Sequence, residues 1–363
     1  MSERGLYIHI PFCSSICTYC DFSKFFYDEK KVDEYLDCLQ KELDSYSIDN
    51  VQSIYIGGGT PTSLNNIQLE RLLKMVEKYN KNYVSYTIEA NVLHLDEEKI
   101  KLLSKYHISR VSLGIQSFNS KIQNTINRHH TYDQVKKVIE LLNKYGINDV
   151  NGDLIYGFNE QSEEDLLDDL KLFTSLPLTH ISTYALMINE HTILGNSNYQ
   201  EVDQAIYRKY YDLIVSYLEK FGFKRYEVSN FAKDNYQSKH NLLYWNNKEY
   251  YGIGVGASGY INNARYDNTK SLNQYQKGKI RINEENLSDN DREFYHIMLG
   301  LRLERGIDID EFNKLYKTNL LDKYSDKLKP LISDNLIEVE KGYLKITKDN
   351  FYIMDFILRR LLF

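Results

Sequence analysis

The chain has 363 residues, of which 42% are hydrophobic, and its formal net charge is -6. This length and composition support one large folded domain plus a small one and disfavour a disordered chain. Because the basic residues are dispersed and the net charge is negative, we expect no nucleic-acid partner. No apolar stretch has the length of a transmembrane segment, and the N-terminus lacks the apolar core of a signal peptide, so we expect a cytoplasmic protein.

Strand-like and helix-like segments alternate along the first two thirds of the sequence. The predicted strands are 6–10, 53–56, 84–89, 110–115, 151–156 and 181–186, with a further strand-like segment at 225–229. The predicted helices are 30–46, 66–79, 96–105, 132–145, 162–175 and 202–221. This alternation is typical of a parallel sheet with right-handed crossovers. The predicted fold class is therefore α/β, a partial or complete parallel (β/α) barrel.

The pattern changes after about residue 286. A helix at 291–302 and two shorter helices precede two strand-like segments, 336–340 and 343–347, and a closing helix covers 350–362. Helices followed by a β-hairpin resemble a small winged-helix-like module. We therefore predict two domains, a barrel at 1–275 and a helical plus β-hairpin domain at 285–363.

Three of the four cysteines, Cys13, Cys17 and Cys20, lie within eight residues directly after the first predicted strand. Thiolates this close together bind metal or do redox chemistry. Three thiolates suit a [4Fe–4S] cluster in which one iron stays open to another ligand. The alternative is a zinc site of three cysteines and one histidine, with His9 or His107 as the fourth ligand.

Other polar or flexible residues also follow predicted strands. The run Gly57 to Pro61 follows the second strand, Glu89 closes the third, and Gln116 follows the fourth. In parallel barrels the chemistry gathers at the carboxyl ends of the strands. A glycine backbone can approach a ligand closely, so beside an open iron it could hold the ammonium group of an amino acid.

Together these motifs resemble the radical S-adenosylmethionine (SAM) superfamily. More narrowly, the chain resembles the oxygen-independent coproporphyrinogen dehydrogenase family over nearly its whole length. The segments that carry this resemblance are the cysteine and glycine motifs together with 9–13, 88–91, 113–118, 153–157, 226–231 and 299–302.

The resemblance implies two cofactors and a set of contacts. Cys13, Cys17 and Cys20 would hold a [4Fe–4S] cluster, whose open iron is chelated by the amino and carboxylate groups of S-adenosylmethionine. The implied cofactor contacts are the backbone of Gly58, Gly59 and Thr60 at the amino group, Arg128 at the carboxylate, Gln116 and Asp153 at the ribose, Glu89 near the methionine portion, and Tyr7 and Ala185 elsewhere.

Two local features distinguish branches of this family. Phe22 stands where the dehydrogenases carry an additional cysteine, and the segment from His240 to Trp245 matches an HNxxYW motif associated with heme binding. Both features, and a short N-terminus, resemble the heme-chaperone branch, which implies heme or porphyrin binding at His240 and delivery to acceptor proteins, including respiratory ones. Homodimers and transient membrane association fit that branch. The alternative is a radical enzyme that oxidatively decarboxylates the propionates of coproporphyrinogen III.

Overall fold

A sheet of twelve strands forms the centre of this computed structural model, which describes residues 3–81 and 85–363. From edge to edge the strands are Arg281–Asn286, Ala264–Asn268, Ser258–Ile261, Glu249–Ile253, Arg4–Ile10, Val51–Gly58, Ser85–Ala90, Arg110–Gln116, Asp149–Tyr156, His180–Ala185, Asn230–Ala232 and Lys224–Arg225. The seven from Glu249–Ile253 to His180–Ala185 are parallel. Within the described residues the two edge strands do not pair with each other, so the sheet is a partial barrel.

Helices follow the parallel strands and pack on the sheet. They are Glu29–Ser45, Asn66–Glu77, Glu97–Lys105, Ser120–Ile126, Tyr132–Lys144, Glu163–Ser175 and Gln204–Lys220. Most begin at a side-chain cap that accepts a backbone N–H of the first turn, such as Asp28, Asn65 and Thr131. No helix among the described residues combines the length and the apolar character needed to cross a bilayer.

Successive side chains of the strand Arg4–Ile10 point alternately to the helix-covered core and to the interior of the barrel. Leu6, Ile8 and Ile10 are fully buried in the main hydrophobic cluster with residues of the covering helices. Each such side chain contributes about 1.5–3 kcal/mol by leaving water. Tyr7 and His9 alternate with them and therefore face the other side of the sheet.

The six predicted strand–helix units are confirmed, with small differences in their boundaries. Val84, the predicted start of the third strand, lies outside the described residues. The structure adds a seventh parallel strand, Glu249–Ile253, which the sequence analysis missed. The predicted strand 225–229 is wrong, because the Glu227 carboxylate accepts the Ser229 N–H at 3.0 Å and closes a turn there. Only Lys224–Arg225 remains extended, at the sheet edge.

The C-terminal part contains helices and a three-stranded sheet. The helices are Asp289–Gly300, Ile309–Tyr316, Leu320–Lys323, Ser325–Ser333 and Met354–Leu362, and the strands are Ile307–Asp308, Ile337–Glu340 and Tyr343–Ile346. The last two strands form the predicted hairpin. The stretch 271–286, which contains the predicted boundary between 275 and 285, forms the helix Leu272–Gln276 and the edge strand Arg281–Asn286 of the large sheet.

A single buried carboxylate, that of Glu42, ties the first helix to the far side of the large sheet. Its Oε2 accepts the backbone N–H of Gly254 at 2.8 Å and the Tyr275 hydroxyl at 2.5 Å. Its Oε1 accepts the Asn268 amide at 2.7 Å. Burial raises the pKa of this carboxyl, and the three hydrogen bonds oppose that shift. Three separate segments thus share one acceptor.

Replacing Glu42 with Ala should lower the free energy of unfolding by about 3 kcal/mol, because three buried donors lose their acceptor at once. Chemical denaturation followed by circular dichroism measures this loss. Glu34→Ala on the exposed face of the same helix is the control and should cost less than about 1 kcal/mol. Equal losses in the two variants would contradict the role given to Glu42.

Candidate cofactor site

The loop that carries the three cysteines begins where the strand Arg4–Ile10 ends. Its two ends pair as short parallel strands, Phe12–Cys13 and Phe25–Phe26, so the loop is closed at its base. Cys13 is buried at this closure, while Cys17 and Cys20 are half-buried further along the loop. All three thiols line one cavity of about 330 Å³. A short ladder thus holds three thiols around a common space.

Burial works against ionisation of these thiols. It raises the pKa of Cys13 to about 11 and also raises the pKa of Cys20, although Lys24 opposes the second shift. The third thiol, that of Cys17, lies next to a positive charge, because Arg128 Nε donates to Cys17 Sγ at 3.3 Å. Because metals bind thiolates, loading this site releases protons.

The glycine run after the strand Val51–Gly58 is bonded directly to the cysteine loop. Gly59 N–H donates to the Ile10 carbonyl and Thr60 N–H to the Phe12 carbonyl, both at 2.9 Å. A Cβ on Gly59 would lie 2.9 Å from the backbone of Phe12 and 3.0 Å from Cys13 Sγ, so only glycine fits there. With these amides occupied, the backbone of Gly59 and Thr60 can offer a ligand only carbonyl oxygens.

Two carboxylates, Glu89 and Asp153, line the same cavity. Glu89 Oε1 accepts the Tyr55 hydroxyl at 2.8 Å, and its Oε2 accepts the Gly58 N–H at 3.0 Å. Burial raises the pKa of Glu89 to about 7, the Asp153 charge adds to the shift, and both hydrogen bonds oppose it. Burial also raises the pKa of Asp153. A cation in the cavity would stabilise both carboxylates in their charged form.

Gln116 ends the strand Arg110–Gln116 in an unusual conformation. Its φ is +70°, in the left-handed region that residues other than glycine seldom adopt, and its buried Oε1 has no hydrogen-bond partner. Nearby, Arg128 Nη1 donates to the Gly114 carbonyl at 3.0 Å. Strained backbone and an unpaired buried acceptor mark ligand sites more often than structural ones.

Most of the predicted cofactor contacts converge on this cavity. The residues from the prediction that line it are Cys13, Cys17, Cys20, Gly58, Gly59, Thr60, Glu89, Gln116, Arg128, Asp153 and Ala185. Tyr7 does not line it, but its ring stacks at 6.0 Å on the ring of Tyr55, which does. The roles assigned to these residues stay predictions.

The structure gives the zinc alternative no support. Both ring nitrogens of His9 are engaged, Nδ1 with the Tyr7 hydroxyl and Nε2 with the Ser23 carbonyl, each at 3.0 Å. His107 lies before the strand Arg110–Gln116, at the opposite end of the sheet from the cysteines. Over 3–81 and 85–363, no three His, Cys, Asp or Glu side chains converge on one ion. A [4Fe–4S] cluster does not require its ligands to converge on one ion, because each thiolate binds a different iron.

His240 lies apart from the cavity, on the helix Lys239–Trp245. It is buried, its Nδ1 bonds the Ser53 hydroxyl, and its Nε2 bonds the Tyr244 hydroxyl at 2.8 Å. Burial lowers its pKa to about 3, so the imidazole is neutral. Ser53 lies near the start of the strand Val51–Gly58, while the cysteines follow the end of the neighbouring parallel strand. His240 and the cysteines therefore lie towards opposite ends of the barrel.

The sequence analysis missed the polar side chains deeper in the cavity. They are Arg110, Ser112, Asn151, His180, Ser182, Ser238 and Asn241. The sequence contained a signal for Asn151. It lies two residues before the predicted site residue Asp153, so both side chains lie on the same face of their strand. The cavity therefore extends from the cysteines towards the helix Lys239–Trp245.

Comparison with known proteins identifies the class of this site. The family model of the Radical SAM superfamily matches residues 7–173, and that of the HemN C-terminal domain matches residues 287–351. In shape, the chain is similar to coproporphyrinogen III oxidase (HemN) from Escherichia coli, a radical SAM enzyme, with a TM-score of 0.88 and 22% identity. That likeness covers 99% of this chain and 90% of the other. The fold and the cysteine loop are those of a radical SAM protein.

Similarity to proteins of known sequence narrows this class. The chain is 36% identical to "Heme chaperone HemW" of Lactococcus lactis over 99% of its length and 97% of that protein's. It is 32% identical to the protein of the same name from Bacillus subtilis, over 95% of each chain. The Escherichia coli HemW is 29% identical over 97% of this chain and 94% of its own. The chain belongs to the HemW family.

Proposed function

We propose that Cys13, Cys17 and Cys20 hold a [4Fe–4S] cluster with S-adenosylmethionine bound at its open iron. The observation that carries this proposal is that three thiols, a glycine backbone and the unpaired amide oxygen of Gln116 line one cavity. The arrangement fits the chemistry of both groups, because thiolates bind iron and the remaining groups can bind an amino acid and a ribose.

Each part of S-adenosylmethionine has a matching group in the cavity. The carbonyls at Gly58, Gly59 and Thr60, together with Glu89, suit its ammonium. Arg128 suits its carboxylate, because two of the guanidinium nitrogens are already held and the fork is fixed in place. The unpaired Oε1 of Gln116 and the Asp153 carboxylate accept ribose hydroxyls, with Tyr7 and Ala185 as outer contacts.

When bound, the cluster and S-adenosylmethionine together supply one-electron chemistry. The chain's own contribution is orientation and charge. Arg128 holds the methionine carboxylate, Glu89 compensates the ammonium, and the surrounding barrel walls limit water at the cluster.

Cys17→Ala should lose stably bound iron and sulfide, because one of the three thiolate ligands is gone. Cys38→Ala is the matched control, since Cys38 is a half-buried thiol on the helix Glu29–Ser45 and does not line the cavity. Iron and acid-labile sulfide are measured after anaerobic reconstitution of both variants. Parental iron and sulfide content in Cys17→Ala would contradict the ligand assignment.

Binding of S-adenosylmethionine should weaken by up to about tenfold between about pH 8 and pH 6, because Glu89 takes up a proton near pH 7 and loses its charge. Anaerobic equilibrium dialysis of the cluster-loaded protein measures the affinity. The control, Glu89→Gln, should bind weakly at both pH values, and it corrects for titration of Asp153 and of the ligand. An equally steep pH profile in Glu89→Gln would exclude Glu89 as the titrating group.

We propose further that the protein is a heme chaperone, which binds heme at the helix Lys239–Trp245 with His240 as an iron ligand. Support comes from the heme chaperones HemW of Lactococcus lactis and Bacillus subtilis, to which nearly the whole chain is similar. A neutral imidazole is the form that binds iron, and burial keeps His240 neutral. Because Nε2 is bonded to Tyr244, iron binding requires that hydrogen bond to break. The Tyr244 side chain, on the same helix, must therefore move away from the imidazole when heme binds.

Anaerobic titration of the cluster-loaded protein with heme should saturate near one heme per chain. His240→Ala should weaken binding by more than about tenfold and change the absorbance spectrum, since even outer-shell partners of a metal are worth that much. His296→Ala in the C-terminal part, which bonds only Tyr316 at 3.3 Å, is the control. No saturable heme binding by the parent protein would contradict the chaperone function.

The remaining expectations belong to the same proposal. A chaperone hands its heme to acceptor proteins, and respiratory acceptors would require transient docking at a membrane. Dimers of this chain are consistent with such a carrier. We also propose the division into a cofactor domain at 1–275 and a C-terminal domain at 285–363, which the separate family matches at 7–173 and 287–351 support.

A further inference from the structure

A chain of buried and half-buried hydrogen bonds connects the helix Lys239–Trp245 with the carboxylate of Asp153. Ser238, the N-cap of the helix, donates its N–H to the Tyr226 hydroxyl at 3.2 Å. That hydroxyl bonds His180 Nε2 at 2.9 Å. His180 Nδ1 bonds Asn151 Oδ1 at 2.6 Å, and Asn151 Nδ2 donates to Asp153 Oδ1 at 2.7 Å. Four consecutive hydrogen bonds thus run from the helix to the cavity wall.

The donors in this chain all point the same way. The Asn151 amide is oriented by Asp153 on its nitrogen side and by the Ser182 hydroxyl, which donates to Oδ1 at 3.2 Å. His180 therefore donates from Nδ1, and because burial holds its pKa well below the usual range, its Nε2 accepts from Tyr226. Hydrogen bonds aligned in one direction polarise and strengthen one another.

We propose that Asn151, His180 and Tyr226 are positioning residues that hold Asp153 for S-adenosylmethionine and make the position of the helix Lys239–Trp245 depend on whether that cofactor is bound. This inference rests on the proposed role of Asp153. A ribose hydroxyl that bonds Asp153 changes the acceptor at one end of the chain, and the helix carries the donor at the other end. The coupling is reciprocal, so a shift of the helix also changes cofactor affinity.

A second contact path leads from the cavity to the same helix, and the test must separate the two. Tyr55 donates to Glu89 at 2.8 Å, and its ring lies 5.2 Å from the ring of His240. The second path ends in ring packing between Tyr55 and His240. The first path, through Tyr226, His180 and Asn151, consists of hydrogen bonds along its whole length. Tyr226→Phe removes one hydroxyl from the first path and leaves Tyr55 in place.

The sequence offers a reporter for the helix, because Trp245 is the only tryptophan in the chain and ends that helix. S-adenosylmethionine is titrated anaerobically into cluster-loaded, heme-free protein. Trp245 emission is recorded in parallel with equilibrium dialysis of the cofactor. In the parent protein the emission should change and saturate with the affinity found by dialysis.

Tyr226→Phe should lose the Trp245 response and bind S-adenosylmethionine about fivefold more weakly, the effect of one lost hydrogen bond. Tyr210→Phe is the matched control, a buried tyrosine outside the cavity whose hydroxyl donates to the Gln161 carbonyl at 2.7 Å. Tyr210→Phe should keep both the Trp245 response and the affinity for S-adenosylmethionine. Its change in thermal stability should be similar to that of Tyr226→Phe. Asn151→Ala, which breaks the chain at another link, should repeat the Tyr226→Phe result.

Three outcomes would overturn the proposal. One is a full Trp245 response in Tyr226→Phe and Asn151→Ala, which would assign any coupling to the Tyr55 path. Another is normal cofactor binding by the parent protein without a Trp245 response. The third, no binding by the parent protein in dialysis, contradicts the proposed cofactor site itself. Heme is absent throughout, so the result does not depend on the chaperone function.

Discussion

The pairing of the strands Arg4–Ile10 and Val51–Gly58 is the constraint on which the candidate site depends. Its register sets Ile10 beside Gly58, so both strands end at the same level and their loops begin together. Two backbone hydrogen bonds then lock the glycine run against the cysteine loop. A Cβ on Gly59 would enter that backbone, which explains glycine there by space and not by flexibility. One ladder thus positions thiols and carbonyls together.

Desolvation decides the charge state of this site. Burial favours the neutral form of Cys13 and of Glu89, while Arg128 is one of the cationic side chains that line the cavity with them. In the proposed function both groups must be charged, Cys13 to hold a cluster and Glu89 to hold an ammonium. Cofactor binding would then release protons and would depend on pH.

Much of the fold could be predicted, because six of the seven parallel strands carry a clear apolar pattern and most of the helices that follow them begin at a side-chain cap. Residues at strand ends, such as Cys13 and Gln116, were also predictable, since the carboxyl ends of parallel strands meet at one edge. The turn at Glu227 was not, because it depends on one buried carboxylate that bonds its own backbone. The strand Glu249–Ile253 pairs with a partner more than 240 residues away in the sequence. Local pattern carries no information about such a partner.

His240 shows a further limit of sequence reasoning and a property of the molecule. The motif predicted an iron ligand, and the structure places the imidazole in a buried site with both nitrogens engaged. Ser53, its partner, is five residues before Gly58, a separation of about 16 Å along a strand. The imidazole and the cysteine loop therefore lie at different levels of the barrel, and the side chains and backbone between these levels connect the two.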